Sequence, residues 1–203
     1  MLLQPMTETH DWPIHQDLTD LRTTLLDLLC TKAYREGDFT LSSGQKSTYY
    51  INGKQATLHA QGAVAVARLM LELIPEGTTA VAGLTLGADP IVSAVSAVGL
   101  YQGRVLTPLI IRKEAKGHGT KAYIEGPELE PGTTVAVLED VVTTGGSALK
   151  AVERLRGAGY VVNQVISLVD REQGGGELYA KEGLQFDAVF SIRDLQARYA
   201  QLQ

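Results

Sequence analysis

The residues with the clearest chemical potential run from Val135 to Ser147. Val135-Ala136-Val137-Leu138-Glu139-Asp140-Val141-Val142-Thr143-Thr144-Gly145-Gly146-Ser147 passes from an apolar run through two acids into a Thr/Gly turn and then a helical pattern. Each part has a physical use. Gly145 and Gly146 let backbone N–H groups turn inward with no Cβ in the way, Thr143, Thr144 and Ser147 add hydroxyl donors, and the following helix N-terminus adds positive potential. Such a cup holds a phosphate. No lysine follows the glycines as a Walker loop requires, and the spacing is not the GxGxxG of dinucleotide folds. Glu139 and Asp140 at the mouth suit ribose hydroxyls, as an acidic residue does in dinucleotide sites. The competing reading has Ser147 merely capping a helix and both acids solvated.

A second cluster is basic. Arg112, Lys113, Lys116, His118 and Lys121 lie within ten consecutive residues, interleaved with Gly117 and Gly119, in a chain whose net charge is −5. An anionic ligand for so acidic a protein needs a local patch of this kind. Arg, Lys and protonated His stabilise a leaving group that gains negative charge as its bond breaks. A solvated charged hairpin is the plain alternative.

LEDVVTTGGS resembles the 5-phosphoribosyl pyrophosphate (PRPP) binding motif of the type I phosphoribosyltransferases, and RKEAKGHG resembles the catalytic loop of their orotate-specific members, usually close to RKEAKDHG. Gly117 stands where Asp is usual. The resemblance implies that Glu139 and Asp140 lie beside the ribose hydroxyls while Thr143 to Ser147 hold the 5-phosphate, with Val141 and Val142 inside the same PRPP-binding motif. It implies that Arg112, Lys113, Lys116 and His118 meet the pyrophosphate end, with Lys116, His118 and Asp140 as the catalytic residues. It also implies a homodimer with shared active sites, the basic loop reaching into the neighbouring subunit. Magnesium is the implied cofactor, held mainly by substrate and water rather than by dedicated protein ligands.

Orotate is a planar pyrimidine with a carboxylate, so its site needs a flat apolar surface, amide-like hydrogen bonds and a fixed cation. FTLSSGQKSTYYI and LVDREQGG resemble the segments that frame the base and its carboxylate in orotate-type enzymes, which makes Arg171, together with Thr143, the carboxylate ligands. Strand alternation aims Tyr49 and Tyr50 at opposite faces, so one at most stacks on the base and the other belongs to the core. We assign the base to Tyr50, though spacing alone does not separate it from Tyr49. A surface salt bridge between Arg171 and Glu172 is the competing reading. Two departures stand out: Ser42 replaces a lysine of several members, and GLTLGADP, Gly83 to Pro90, lacks the lysine that some carry there. Backbone N–H groups of Leu86 to Ala88 serve instead, and Asp89 is expected to cap the next helix, with ordering of the metal's water shell as the alternative. The implied reaction converts orotate and PRPP to orotidine monophosphate and pyrophosphate in pyrimidine synthesis. A phosphoribosyltransferase for another base, and a regulator that senses PRPP or a nucleotide without turnover, stay open as alternatives.

These residues must be positioned by a scaffold, and the apolar pattern predicts one. Ile14, Leu18, Leu21, Leu25 and Leu28 mark an amphipathic helix ending near Gly37. Phe39 to Ile51 reads as two short strands around Ser42-Ser43-Gly44, and a helix follows from about Leu58 to Ile74. Apolar runs at 79–82, 105–111, 134–138, 161–169 and 188–192 alternate with helices at 90–100 and 147–158, while 173–176 is a loop. This is an α/β chain with a mostly parallel central sheet flanked by helices. The resemblance adds the type I fold, with a small N-terminal hood of helix and short strands. In such sheets ligands bind beyond the carboxyl ends of the strands, which puts 83–89, 112–126, 139–146 and 170–176 at the site.

Residues 1–13 read as a loose extension and 14–203 as a single domain, consistent with a length of 203 residues. The acidic balance argues against a nucleic-acid partner. No apolar run reaches membrane-spanning length, and the first residues lack the basic start and apolar stretch of a secretory signal. Cys30, the single cysteine, sits among leucines as a buried thiol, which fits a reducing cytoplasm.

Overall fold

The computed structural model describes residues 16–40, 46–116 and 122–203. The expected extension over 1–13, the Ser42–Gly44 turn, Gly117 and His118 lie outside the described residues. A six-stranded sheet has the order β5-β4-β3-β6-β7-β8, built from β3 (Ala80–Leu84), β4 (Thr107–Ile111), β5 (Ile124–Glu125), β6 (Thr134–Val142), β7 (Val161–Asp170) and β8 (Gln185–Ser191). All neighbours run parallel except β5, which pairs antiparallel with β4. Residues alternate between two cores. Val81, Ala136, Leu138, Ile166 and Leu168 pack on one face, while Ala80, Ala82, Val135, Val137 and Val165 pack on the other. Burial on both faces explains why these strands are continuous apolar runs.

The first core is covered by α1 (Leu18–Leu28), α3 (Ala60–Leu73), α4 (Asp89–Tyr101) and α7 (Ile192–Gln201). The second is covered by α5 (Gly146–Gly157) and α6 (Gly175–Lys181). Asp17 caps α1 by accepting from the Thr19 N–H at 2.8 Å, and Leu21 and Leu25, one turn apart, are buried. Cys30 is buried as expected, its thiol contacting the Leu195 carbonyl at 3.4 Å, and burial raises its pKa to about 11. Arg198 of α7 reaches Asp27 of α1 at 3.0 Å, tying the two together.

Several boundaries differ from the sequence reading. The first helix does not continue to Gly37: a π-helical turn over Leu29–Ala33 ends it, and Tyr34 opens β1 (Tyr34–Thr40). Pairing of β1 with β2 (Lys46–Ile51), from Tyr34↔Ile51 onward, outweighs helical propensity there. The helix expected from Leu58 is broken, with α2 (Lys54–Thr57) separated from α3 by the extended backbone of His59. Gly62 of α3 lies so close to the Ala56 carbonyl that a Cβ would collide with it, so α2 tucks beneath α3 at a residue without a side chain. The segment read as a Gly-rich loop contains the start of α6, which follows Gly174 in the left-handed conformation at φ 97°.

The carboxyl ends of β3, β4, β6 and β7 share one edge of the sheet, where the predicted loops emerge. One glycine fixes the shape of the first of these loops. A Cβ on Gly83 would press on the Ala88 Cβ and lie 2.7 Å from the Leu138 carbonyl oxygen, whereas one on Gly77 meets nothing within 4 Å. Gly83→Ala should therefore lower the unfolding free energy by about 1–3 kcal/mol in urea titrations, with Gly77→Ala close to neutral. Equal midpoints for the two variants would show that the loop has room to yield.

Candidate active site

Strand β6 does not stop at Leu138. Its pairing with β7 continues to Val142↔Asp170, so Glu139 and Asp140 are strand residues held in register, not members of a free loop. Gly145 then takes the left-handed conformation at φ 85° and α5 begins at Gly146. No side chain caps α5; Ser147 lies inside its first turn, exposed, which removes the capping alternative and leaves its hydroxyl free to meet a ligand. The result is a cavity of about 300 Å³ lined by Glu139, Thr143, Thr144, Gly146, Ser147 and Tyr179, among others. Val141 and Val142 also line it. Tyr179 of α6 is the floor. Its hydroxyl donates to the Gly145 carbonyl at 3.1 Å, and a Cβ on Gly145 would crowd its ring at 3.0 Å.

Glu139 is 5% exposed, with one carboxylate oxygen accepting from the Asp140 N–H at 3.1 Å and the other buried without a hydrogen bond among the described residues. Burial holds its carboxyl well above the usual range. The Asp140 carboxylate beside it pushes the same way, and Lys113 opposes. Asp140 is half-buried and accepts from the Val141 N–H at 2.9 Å. A Cβ on Gly87 would lie 2.6 Å from its carboxylate and one on Gly53 3.1 Å, so the loop after β3 and the start of α2 close on this side chain. Asp89 is not a helix cap. It occupies the first helical position, accepts from the Thr85 hydroxyl at 2.7 Å, and keeps one buried oxygen without a hydrogen bond among the described residues.

Arg171, one residue past β7, is 9% exposed. Its backbone N–H donates to the Val142 carbonyl at 2.9 Å, which sets it beside Thr143. The guanidinium does not pair with Glu172, whose carboxylate instead meets Arg193 at 2.7 Å. Arg171 Nε donates to the Tyr49 hydroxyl at 3.2 Å, and Nη2 is buried with no hydrogen bond among the described residues. Tyr49 packs against the core, while Tyr50 is 44% exposed with its ring 5.7 Å from Phe39. The sequence assignment of one ring to the core and one to the open face thus separates as Tyr49 and Tyr50.

Arg112 and Lys116 both meet Glu125, at 3.0 and 3.7 Å, and Lys113 is exposed. Exposed pairs of this kind contribute little, so a phosphate can displace them readily. The root of the excursion is anchored by a residue outside every motif. Arg154 of α5 donates to the Arg112 carbonyl and, at 3.0 Å, to that of Lys113, while its guanidinium lies 4.0 Å from the Tyr123 ring centroid. Both arms are therefore held against α5.

No family model matches the chain. It is 65% identical over 199 residues to an orotate phosphoribosyltransferase of Nostoc, covering 98% of this chain and 97% of that protein. The chain belongs to the orotate phosphoribosyltransferase family. A second relative of that family, from Aquifex aeolicus, is 48% identical over 165 residues, which is 81% of this chain and 90% of that one. Among solved structures, the Mycobacterium tuberculosis orotate phosphoribosyltransferase in complex with PRPP is similar with a TM-score of 0.73 and 35% identity, over 87% of this chain and 99% of that one. The α/β fold of this orotate phosphoribosyltransferase family member is accordingly that of the type I enzymes.

Of the residues singled out in the sequence, the fold gathers Glu139, Asp140, Thr143 to Ser147 and Arg171 at adjacent strand ends. Arg112, Lys113 and Lys116 lie two strands away across the sheet, after β4. Tyr179, Arg154 and the Tyr49 hydroxyl were not visible as site features, because nothing in their local sequence reports long-range contacts. Glu139 makes a pH-dependent contribution. A folded-state carboxyl with a raised pKa holds its proton longer than in the unfolded chain, so stability falls as pH climbs from the usual 4.5 toward the folded value, and stays lower above it. In the ligand-free protein Glu139→Gln should melt higher than wild type at neutral pH, with the gap closing as pH approaches 4.5. Calorimetry across that window checks this; a gap of opposite sign would mean the carboxylate is stabilised rather than strained.

Proposed function

We propose that this chain transfers the phosphoribosyl group of PRPP to orotate, forming orotidine 5′-monophosphate and pyrophosphate, with the 5-phosphate in the Thr143–Ser147 cup and the orotate carboxylate on Arg171. The observation that carries this reading is a nearly buried guanidinium with an unsatisfied Nη2, one strand away from a cup suited to phosphate. An unpaired buried cation is costly unless an anion completes it, and a carboxylate matches its donor fork. Tyr50 supplies the exposed ring for the base, and Thr143 stands beside Arg171 as second carboxylate ligand.

During the reaction the C1–O bond to pyrophosphate breaks with its electron pair on the leaving oxygen, and a pyrimidine nitrogen forms the new bond to C1 as its proton passes to the departing pyrophosphate or to solvent. Positive charge grows on the ribose ring as that bond lengthens. Glu139 and Asp140, fixed by strand pairing, anchor the ribose hydroxyls and favour that charge. Arg112, Lys113, Lys116 and His118 receive the departing pyrophosphate. Magnesium fits the residues present: Glu139 and Asp140 are neighbouring carboxylates, one Glu139 oxygen has no hydrogen bond among the described residues, and such an ion needs only one or two carboxylates beside substrate and water. When bound it would offset pyrophosphate charge. Among the described residues no group of three or more His, Cys, Asp or Glu forms a self-sufficient cage.

Residues 14–203 act as one domain in this reading, supported by the packing of α7 on α1, and the working form is a homodimer in the cytoplasm. A buried free thiol suits that compartment, and no described helix is long and apolar enough to cross a membrane. Nucleic acid has no place in it, given the net charge of −5.

Arg171→Ala should weaken orotate binding by about 2–5 kcal/mol while PRPP binding stays close to wild type, read by calorimetry with each ligand. Equal weakening of both would refute the assignment. The shared site has its own test. Lys116→Ala and Arg171→Ala proteins, mixed equally and allowed to exchange, should regain about a quarter of wild-type sites above the low residual turnover of either alone, because each mixed dimer concentrates both defects in one site. No recovery, once mass spectrometry has shown mixed dimers, would place the loop in its own subunit's site.

A further inference from the structure

The Arg171 guanidinium is held by an aromatic column. Tyr199 of α7 packs edge-on against Tyr34, with ring centroids 5.1 Å apart. Tyr34, 2% exposed, stacks on Tyr49 at 5.9 Å, and the Arg171 guanidinium lies 4.7 Å from the Tyr49 ring centroid. The Tyr49 hydroxyl ends the column. It accepts from Arg171 Nε at 3.2 Å and from Gln173 Nε2 at 3.3 Å. A phenolic oxygen offers two lone pairs and one proton. Both lone pairs are engaged, so the proton is the only bonding capacity left, and it has no acceptor among the described residues.

The same holds for Arg171. Its Nε is committed to Tyr49, its backbone N–H to Val142, and its buried Nη2 to nothing among the described residues. Two donors with unmet need, the phenolic O–H and Nη2, therefore sit on groups bonded to one another. A carboxylate has two acceptor oxygens that can meet two such donors at once, whereas a neutral ring edge lacks the charge that makes those bonds strong.

We propose that Tyr49 is a specificity residue for the substrate carboxylate: its hydroxyl fixes Arg171 in the presenting orientation and donates its own proton to the same anion. The inference rests on Arg171 as the carboxylate ligand. It assigns Tyr49 a task distinct from that of Tyr50, whose ring is open to a base. It also gives β1, β2 and α7 a part in substrate selection through the Tyr199–Tyr34–Tyr49 column.

The test uses Tyr49→Phe, which keeps the ring and its stacking, in wild-type and Arg171→Ala backgrounds. Loss of a hydrogen bond to a charged group predicts a fall of roughly 10- to 100-fold in kcat/KM for orotate, with KM for PRPP unchanged. Because Tyr49 works through Arg171, the substitution should cost far less in the Arg171→Ala background, a non-additivity that a merely structural role would not give. Thermal unfolding checks that the variant is folded, and Tyr49→Leu, which removes the ring as well, should lose at least as much kcat/KM as Tyr49→Phe. An unchanged kcat/KM in Tyr49→Phe, or an equal fall in both backgrounds, overturns the inference while leaving Arg171 in place. Unchanged kcat/KM in Arg171→Ala itself would instead remove the carboxylate site on which the inference stands.

Discussion

The site depends on how far β6 and β7 stay paired. Their hydrogen bonding reaches Val142↔Asp170, and one further bond, from the Arg171 N–H to the Val142 carbonyl, continues it past the end of the strand. Adjacent strands lie about 4.8 Å apart, so Thr143 and Arg171 leave the sheet side by side at that spacing. The register cannot drift. Both faces of β6 and β7 are buried, and a slip of one residue would exchange the two cores, moving Val135 and Val137 to the face that now holds Ala136 and Leu138. Distance between the Thr143–Ser147 cup and the Arg171 guanidinium is thus a property of the hydrophobic core, transmitted by backbone geometry.

The same edge carries polar groups that the described residues leave unsatisfied. One oxygen of Glu139, one of Asp89 and Nη2 of Arg171 are buried without hydrogen bonds among the described residues. Each such group costs about 1–3 kcal/mol, and folded proteins carry few. Both signs of charge occur, acids near the cup and a cation beside it. A substrate with a hydroxyl-bearing ring and a carboxylate has groups complementary to these. The two cores supply the stability that tolerates this, since their strands are buried on both faces.

Much of this arrangement was legible in the sequence, for identifiable reasons. Glycine and hydroxyl residues after a Val/Ile run report a tight turn because few other residues allow one, and Gly145 takes the left-handed conformation as its type suggests. Alternation separated Tyr49 from Tyr50, though not which of them faces outward. The end of the first helix was misjudged because Tyr34, Arg35 and Glu36 are compatible with a helix until β2 supplies a ladder partner. The first turn of α6 was hidden by Gly175 and Gly176, which read as loop, while Gly175 is required there: a Cβ would run into the Val142 side chain. A capping box at Ser191 and Asp194 marks the start of α7, a helix that the reading of apolar runs does not separate from β8. Contacts such as Arg154 with Arg112 and Lys113 join residues some forty positions apart, a distance no local pattern spans.

Arg154 has one more consequence. It stands near the far end of the helix whose first residues line the cavity after β6, and it grips the two arms of the basic excursion. An α-helix is a stiff rod with a rise of 1.5 Å per residue, so α5 works as a caliper: one jaw is set by the cup and the other by the root of the loop. If the basic loop does cross to a neighbouring subunit, that caliper becomes the yardstick by which one subunit's phosphate grip is measured against the other's chemistry.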